Sequence, residues 1–470
     1  MRIRRLCWSA VFLATPILGG AEPGDTLALG RKALQNDGVA TAWRLAQTAT
    51  SDAPDSAAAH EFAGEVLFRR GEFVQAEAEF RRATQLDPNF ALAWWGLARV
   101  SECSSLRKTA AEDFRRAYTL DPKDPRIVRD WTIRLAVEQQ AEALEKYSAL
   151  AARSGNGADL EDAKQRLQFA RVVRGRPLDV LVSAYKSALI PLAAFTTEKT
   201  HTRSYGLEVN VNGSVMNLML DTGATGVVIP LRAAEKAGIV RLAQATMRGF
   251  GDTPKPSGGY HGLAQHLRIG DVEYRDAVIT VVDRDAIGTA DGLIGTDVFG
   301  QFLVTLDFAA RQLRLNPLPG YHPGDTPIQD RTVPPGMEHA AQVYRLNHLL
   351  LVPTRVNGSH EALFILDTGA DRTLISYDLA AEVSKLSRDN KQHMTGINGQ
   401  VADLYQTGNL TLQFAGFEQR SPGMSSVDTW EQSRRIGTEL SGFLGLPVLD
   451  LFTLTIDYRD GLVKFERPHP

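Results

Sequence analysis

The spacing of hydrophobic and polar positions changes near Tyr205. Before it, apolar residues recur every three or four positions, as in "FVQAEAEFRRATQL", which is the spacing of amphipathic helices. After it, short β-branched stretches alternate with glycine-rich turns, a pattern typical of strands. With 470 residues, of which 43% are hydrophobic, the chain can build several buried cores. The sequence therefore predicts an all-α part followed by an all-β part.

The helical part repeats every 34 residues between Pro23 and about Asp124. Ala63–Pro88 aligns with Leu97–Pro122, and a fainter copy precedes them. Ala76, Phe80, Ala83 and Pro88 recur as Ala110, Phe114, Ala117 and Pro122. The fainter copy has Gly30, Ala42, Ala49 and Pro54, each 34 positions before Gly64, Ala76, Ala83 and Pro88. Small residues allow two helices to touch, and a proline ends the second helix of a pair.

This pattern resembles the tetratricopeptide repeat (TPR). The resemblance implies a helical solenoid, which we place at residues 23–171, with residues 172–200 as a linker or first strand. A solenoid of this kind presents a concave face. That face is expected to dock a polypeptide or protein partner, and the alternative is that the array acts as a spacer or structural cap for the next domain.

The β part contains one acidic motif twice. "LMLDTGATGVVIP" begins at Leu218 and "LFILDTGADRTLIS" begins at Leu363. In both, an apolar strand leads into Asp-Thr-Gly-Ala and another apolar strand follows. A single Asp-Thr-Gly is an ordinary turn sequence, but two copies with matching flanks favour a paired-acid site.

Other features recur around the two triplets in the same order. A "VNG" hairpin turn precedes each triplet, a glycine turn follows it, and an apolar-apolar-Gly segment comes last. The paired segments are Val211–Gly213 and Val356–Gly358, Met247–Asp252 and Met394–Gln400, and Leu293-Ile294-Gly295 and Phe443-Leu444-Gly445.

Together these motifs resemble the retropepsin-like aspartic proteases, in which each lobe supplies one acid loop, one flap and one apolar-apolar-Gly segment. The expected fold is multidomain: an all-α TPR-like solenoid followed by an all-β bilobal aspartic protease fold. We place lobe 1 at residues 201–318 and lobe 2 at 336–470. Because the connection between the lobes is short, we expect them to pair within one chain as a monomeric pseudo-dimer; pairing between chains is the alternative.

The chemistry of peptide hydrolysis explains why two acids are needed. Two adjacent carboxyls cannot both ionise cheaply, so they share a proton, and one acts as base while the other acts as acid. Asp221 and Asp367 are the predicted catalytic pair. Gly223 and Gly369 leave room for backbone N–H groups to face the carboxylates. The resemblance implies that Thr222 and Thr368 bridge the two loops.

The two glycine turns are candidate flaps, with plain surface hairpins as the alternative. Neither contains an obvious flap tyrosine. The candidate flap residues are Gly249, Phe250, Gly251, Gly396, Ile397, Asn398 and Gly399.

Several other functions are disfavoured. The sequence has no HExxH pattern, Cys/His metal spacing, GxSxG elbow or P-loop, so we predict neither a metal nor a cofactor. Its net charge is −3, and no cluster of basic residues suggests nucleic-acid binding.

The first 21 residues place three arginines before a mostly apolar run that ends in small residues, which predicts a cleavable signal peptide and an exported, periplasmic or secreted protein. A membrane anchor is the alternative, although the run is short for a spanning helix. Loss of this segment leaves Cys103 as the single cysteine, so no internal disulfide is expected. We expect Cys103 to be buried.

The sequence therefore predicts an exported aspartic endopeptidase. The alternative is a non-catalytic periplasmic scaffold or peptide-binding protein that retains the protease fold, which would be favoured by a large separation of the two aspartates. Ala224 and Ala370 stand where a Ser or Thr often follows the motif in pepsin-like enzymes. Their presence predicts activity at mildly acidic to near-neutral pH.

Overall fold

The computed structural model describes residues 23–36, 38–154, 157–197, 201–247, 249, 257–283, 290–320, 328–389, 394–396, 399–401 and 403–468. The signal peptide predicted at residues 1–21 lies outside the described residues. The described chain forms a helical array followed by two β lobes.

Helices α1 to α9 form the array. Their bounds are α1 (Pro23–Gln35), α2 (Val39–Asp52), α3 (Ala57–Arg69), α4 (Phe73–Leu86), α5 (Ala91–Cys103), α6 (Arg107–Leu120), α7 (Pro125–Thr132), α8 (Val137–Ser154) and α9 (Gly157–Val173). The first residues of α1, α3, α5 and α7 follow one another at intervals of 34 residues, and so do those of α2, α4 and α6. The period in the sequence is therefore the period of the helices.

Phe80 shows why small residues occur where the helices cross. This fully buried ring of α4 lies against Gly64 of α3 and Gly96 of α5. A Cβ atom would lie 2.8 Å from the ring at Gly64 and 2.3 Å from it at Gly96. Real Cβ atoms do not approach that closely, so the two glycines allow Phe80 to pack between the helices.

The first half of the β region includes a short helix, α10 (Leu231–Lys236), and a 3-10 helix over Thr296–Phe299. Its strands are β1 (Val180–Leu181), β2 (Ala188–Pro191), β3 (Ala193–Thr197), β4 (His201–Val211), β5 (Ser214–Asp221), β6 (Val227–Pro230), β7 (Val240–Met247), β8 (Ser257–Ile269), β9 (Val272–Val282), β10 (Gly292–Gly295), β11 (Phe302–Asp307) and β12 (Gln312–Pro317). The sequence allowed residues 172–200 to be either a linker or a first strand. Their described part contains the end of α9 and the strands β1 to β3.

The second half includes α11 (Tyr377–Val383), α12 (Trp430–Ile436) and α13 (Leu446–Leu449). Its strands are β13 (Ala341–Gln342), β14 (Tyr344–Leu346), β15 (Leu349–Val356), β16 (His360–Leu366), β17 (Leu374–Ser376), β18 (Ser387–Arg388), β19 (Met394–Gly396), β20 (Gly399–Val401), β21 (Tyr405–Gln406), β22 (Asn409–Phe414), β23 (Phe417–Pro422), β24 (Ser425–Val427), β25 (Gly442–Leu444), β26 (Thr453–Asp457) and β27 (Leu462–Glu466).

The two lobes share one topology. In lobe 1, β5 pairs with β4 in a hairpin and with β10 in parallel, while β10 pairs antiparallel with β6. In lobe 2, β16 pairs in the same way with β15 and β25, and β25 pairs with β17. The sequence duplication is therefore a duplication of structure.

The "VNG" segments form equivalent hairpin turns. Asn212 and Gly213 have φ angles of 50° and 90°, and Asn357 and Gly358 have φ angles of 50° and 75°. Positive φ at both central residues is the conformation that favours Asn-Gly in two-residue hairpins. The predicted hairpins are confirmed, and both lead into an acid-bearing strand.

A sheet shared by the lobes was not anticipated from the sequence. Six of the described strands form it, in the order β13-β27-β26-β11-β12-β2. At its centre β11 pairs antiparallel with β26, and Thr305 lies opposite Thr455, which occupies the same place 150 residues later. Their hydroxyls are 3.2 Å apart. The pseudo-twofold axis therefore passes beside this pair, and residues of both lobes join in one hydrophobic core.

The helical array packs against lobe 2. Buried residues of α3, α4 and α5 share one hydrophobic cluster with strands of lobe 2; we call this cluster the array–lobe 2 core. Its members from the array are Leu67, Phe68, Phe73, Ala76, Phe80, Leu97, Val100 and Cys103, and those from lobe 2 are Leu349, Leu351, Leu363, Ile365, Leu374, Met394, Leu404, Val427, Leu440 and Phe443. Cys103 is buried, as predicted, and burial raises the pKa of its thiol to about 12.

Hydrogen bonds also join the helical array to the β region. Thr438 Oγ1 donates to the Phe68 carbonyl at 2.8 Å, and the Glu439 N–H donates to the Arg69 carbonyl at 2.7 Å. The Asp330 carboxylate also accepts from the N–H and the hydroxyl of Thr109 near the start of α6. The segment that joins the two lobes is therefore fastened to the array as well.

Candidate active site

The two acid loops meet where β5 and β16 end. Asp221 is the last residue of β5, and Asp367 follows the last residue of β16. Each of these strands lies beside an apolar-apolar-Gly strand, with Asp221 opposite Gly295 and Leu366 opposite Leu444. Equivalent strands thus deliver the two predicted catalytic residues to one place between the lobes.

Thr222 and Thr368 cross-link the loops. The Thr222 N–H donates to Thr368 Oγ1 at 3.1 Å, and the Thr368 N–H donates to Thr222 Oγ1 at 2.9 Å. Each hydroxyl in turn donates to a backbone carbonyl of the opposite lobe, Thr222 to Leu366 at 2.6 Å and Thr368 to Leu220 at 2.9 Å. Both side chains are buried, so this network fixes the loops relative to each other. The expected bridge is present.

The two glycines make room for the opposite carboxyl. A Cβ on Gly369 would lie 2.5 Å from Asp221 Cγ, and one on Gly223 would lie 3.1 Å from Asp367 Cγ. Their N–H groups also donate to the aspartate of their own loop, at 2.8 Å for Gly223 and 2.9 Å for Gly369. Glycine is therefore needed for close approach between the lobes in addition to the turn.

The two carboxyls form a hydrogen-bonded pair with unequal proton affinity. Burial raises the pKa of Asp221. Burial, followed by the negative charge of Asp221, raises the pKa of Asp367 well above its ordinary range. The hydrogen bond between them stabilises the charge on Asp221 and the proton on Asp367. Two adjacent carboxyls whose pKa values are both raised are expected to share one proton, and the larger rise at Asp367 favours that residue as the protonated one.

Comparison with known families agrees with this architecture. Residues 207–298 and 352–448 match a family model described as aspartyl protease. Residues 27–89 and 71–125 match a model described as tetratricopeptide repeat. The chain joins tetratricopeptide repeats to a two-lobed aspartyl protease fold. No curated protein matches it in sequence.

Solved structures similar to the chain include one of each kind. An aspartic proteinase from Irpex lacteus aligns with 13% identity and a TM-score of 0.38, covering 60% of this chain and 97% of that one. The TPR domain of Arabidopsis OM64 aligns with 21% identity and a TM-score of 0.21, covering 22% of this chain and 87% of that one.

The candidate flaps of the protease lobes are only partly described. In lobe 1, β7 and β8 pair as a hairpin, and the Gly249 carbonyl accepts from Arg435 of α12 at 2.9 Å. In lobe 2, Gly396 and Gly399 are paired at the closed end of the β19–β20 hairpin, and Met394 enters the array–lobe 2 core. Phe250, Gly251, Ile397 and Asn398 lie outside the described residues.

Sequence reasoning missed two residues beside the acid loops. Asp297, in the 3-10 helix after Gly295, accepts from the Thr225 hydroxyl at 2.7 Å and from the Gly226 N–H at 2.9 Å. His348, in the turn between β14 and β15, places Nε2 3.2 Å from the Gly223 carbonyl oxygen. Lobe 2 has Pro447 at the place equivalent to Asp297, so repetition could not reveal that acid.

Two other features, a metal-binding cluster and a membrane-spanning helix, are not found in the described residues. Among them, no group of three or more His, Cys, Asp or Glu residues is arranged to hold a metal ion. A membrane-spanning helix is likewise not found in this part of the chain.

Proposed function

We propose that the protein is an aspartic endopeptidase in which Asp221 and Asp367 activate a water molecule. The observation that carries this proposal is the close approach of the two acid loops, which places each aspartate against the glycine of the opposite loop, with Thr222 and Thr368 cross-linking the loops. A large separation of the two aspartates would have favoured a non-catalytic scaffold, but the aspartates are adjacent.

The unequal proton affinity suggests the role of each acid. The Asp221 carboxylate takes a proton from water as the water oxygen attacks the peptide carbonyl carbon, and the Asp367 carboxyl gives its proton to the carbonyl oxygen. The resulting gem-diol collapses: the diol proton returns to Asp367, the C–N bond breaks, and Asp221 supplies the proton to the leaving amine. Each cycle consumes one water and restores the dyad.

Polypeptide is the substrate class that fits this site. An extended peptide would lie between the lobes and add backbone hydrogen bonds to the exposed strand edges and the hairpins. We further propose that the repeats recruit substrate or a protein partner. Because the C-terminal ends of α3 and α5 lie against lobe 2, docking would use other surfaces of the array.

The remaining parts of the proposal come from the sequence. Residues 1–21 support export to the periplasm or outside the cell, and Ala224 and Ala370 support activity at mildly acidic to near-neutral pH. A pH–rate profile that peaks only in strong acid would contradict the second of these.

A cleavage assay tests the function. Mature protein is incubated with a complex peptide library from about pH 4 to 7.5, and the products are identified by mass spectrometry, which also reveals the specificity. Asp221→Asn and Asp367→Asn should each abolish cleavage, because neither variant has one carboxylate and one carboxylic acid. Asp271→Asn is the matched control, because this carboxylate is exposed in the turn between β8 and β9 and lies outside both acid-loop motifs. Absence of cleavage by folded wild-type protein would contradict the peptidase proposal and favour the non-catalytic scaffold.

A further inference from the structure

His348 reaches from lobe 2 to the acid loop of lobe 1. It follows Asn347, whose φ of 56° turns the chain between β14 and β15. Its ring Nε2 lies 3.2 Å from the carbonyl oxygen of Gly223. The N–H of the same glycine donates to Asp221 Oδ1 at 2.8 Å. The imidazole therefore contacts the peptide backbone that holds one member of the pair.

The contact determines where the ring carries a proton. A carbonyl oxygen is only an acceptor, so Nε2 must be the donor. Nε2 therefore carries a hydrogen in this contact, which leaves Nδ1 as the other ring nitrogen. A positively charged ring is therefore compatible with the contact to Gly223, and its charge would lie beside the loop of Asp221.

The other contacts around the two aspartates occur in pairs related by the twofold axis, but no equivalent of the His348 contact is found among the described residues. The threonines and glycines act in equivalent pairs, and backbone N–H groups of both loops donate to the aspartates. Among the described residues, a histidine contact to the acid loop is found on the Asp221 side and not on the Asp367 side. An interaction that favours the charge of one acid makes the two acids unequal.

We propose that His348 is a positioning residue that assigns the negative charge of the dyad to Asp221, so that Asp221 acts as the base and Asp367 as the acid. The electrostatics agree with the geometry, because His348 lowers the pKa of Asp221 against the larger effect of burial. The inference rests on the proposed peptidase function for its kinetic consequence, although the charge assignment itself is a property of the folded protein.

Other ionisable side chains also lie near the two aspartates, so a test must change His348 and leave these side chains as they are. One is Asp367, which interacts electrostatically with Asp221. The others are Tyr458 and the three charged groups that act on it, Asp297, Asp221 and Arg345, the last of which lies on the same hairpin as His348. A substitution confined to His348 changes none of them. Any shift in titration between that variant and wild type therefore reports the histidine.

The kinetic experiment compares kcat/KM against pH for wild type, His348→Gln and His348→Lys. Glutamine keeps an N–H donor without a charge, and lysine keeps both a donor and a charge. We expect His348→Gln to move the acid limb to higher pH by about half to one unit, because Asp221 gains a proton more readily without a nearby cation. His348→Lys should restore the limb toward its wild-type position. His360→Gln, at the first residue of β16 in the same lobe, is the matched control.

The second measurement does not need activity. Protein labelled with ¹³C at aspartate Cγ is titrated by NMR, and the dyad signals are assigned with Asp221→Asn and Asp367→Asn. The apparent pKa assigned to ionisation at Asp221 should rise in His348→Gln. An unchanged titration and an unchanged acid limb, with at most a uniform loss of activity, would overturn the proposal. A shifted titration in a protein that cleaves nothing would support it while refuting the peptidase function.

Discussion

Phe73 connects the repeats to lobe 2, and its truncation should destabilise both. The ring is 1% exposed and belongs to the array–lobe 2 core. It makes edge contacts with Phe68 at a centroid distance of 5.1 Å and with Tyr344 of β14 at 4.6 Å. Phe73 therefore lies where the last turn of α3 and the first turn of α4 meet the second protease lobe.

The structure allows the magnitude to be worked out. Burying a Phe side chain removes about 150–200 Å² from water, which at about 25 cal/mol per Å² corresponds to about 4–5 kcal/mol. Measured Phe→Ala substitutions in cores cost about 3–5 kcal/mol. The contact with Tyr344 should contribute about 0.5–1.5 kcal/mol of this as a pairwise coupling.

The assay is urea unfolding of Phe73→Ala, Tyr344→Ala and the double variant, combined with native-state hydrogen exchange. Val74→Ala is the matched control, because the neighbouring side chain is 67% exposed and should change stability little. We expect faster exchange in α3 and α4 and also in β15 and β17. Destabilisation confined to the helices, with unchanged exchange in lobe 2 and additive single effects, would refute the view that the repeats stabilise this lobe.

Three further predictions concern the dyad and a buried acid. Thr222→Val should cost about 2–4 kcal/mol, because the Leu366 carbonyl and the Thr368 N–H both lose their hydroxyl partner; Thr222→Ser should retain most of the stability in thermal unfolding. Gly369→Ala should lower kcat/KM by about 100-fold or more, because its Cβ would displace the Asp221 carboxyl. Gly157→Ala is the control and should leave kcat/KM unchanged, because a Cβ there would meet open space. Wild-type activity in Gly369→Ala would contradict the close approach of the lobes. Burial, followed by the charge of Asp460, raises the pKa of Asp457 from 3.8 to about 6, so this group favours folding fully below pH 3.8 and loses that contribution as the pH rises through 6. The unfolding free energy of wild type should therefore fall by about 2–3 kcal/mol more than that of Asp457→Asn between pH 4 and 7; equal pH dependence in chemical denaturation would show that the carboxyl does not titrate in this way.

Local patterns in the sequence predicted the elements that depend on near neighbours. The 34-residue period gave the spacing of the helices because one face of every helix must present small residues to the next one. The Asn-Gly turns were predictable because positive φ is inexpensive for these two residue types. The duplicated Asp-Thr-Gly motif also indicated which acids would be brought together, because two copies of one lobe form a twofold arrangement.

Contacts between distant parts of the chain could not be predicted in this way. The hydrogen bond from Thr438 to Phe68 joins residues 370 positions apart, and the central pairing of β11 with β26 joins positions about 150 apart. Nothing in the local spacing of either segment specifies its partner. The sequence left the array either as a docking surface or as a spacer or structural cap for the next domain, and it could not show that one side of the repeats forms a core with lobe 2.

The sequence alone determined the helical and β regions, the two acid loops and the residues that could serve as a dyad, because periodicity, turn preference and duplication are properties of short segments. Only the tertiary structure decided that the lobes share a sheet, that the repeats pack on lobe 2, and that His348 contacts the loop of Asp221. These features depend on which surfaces become complementary once the chain has folded, and side chains such as His348 acquire a role only from the neighbours that folding brings to them.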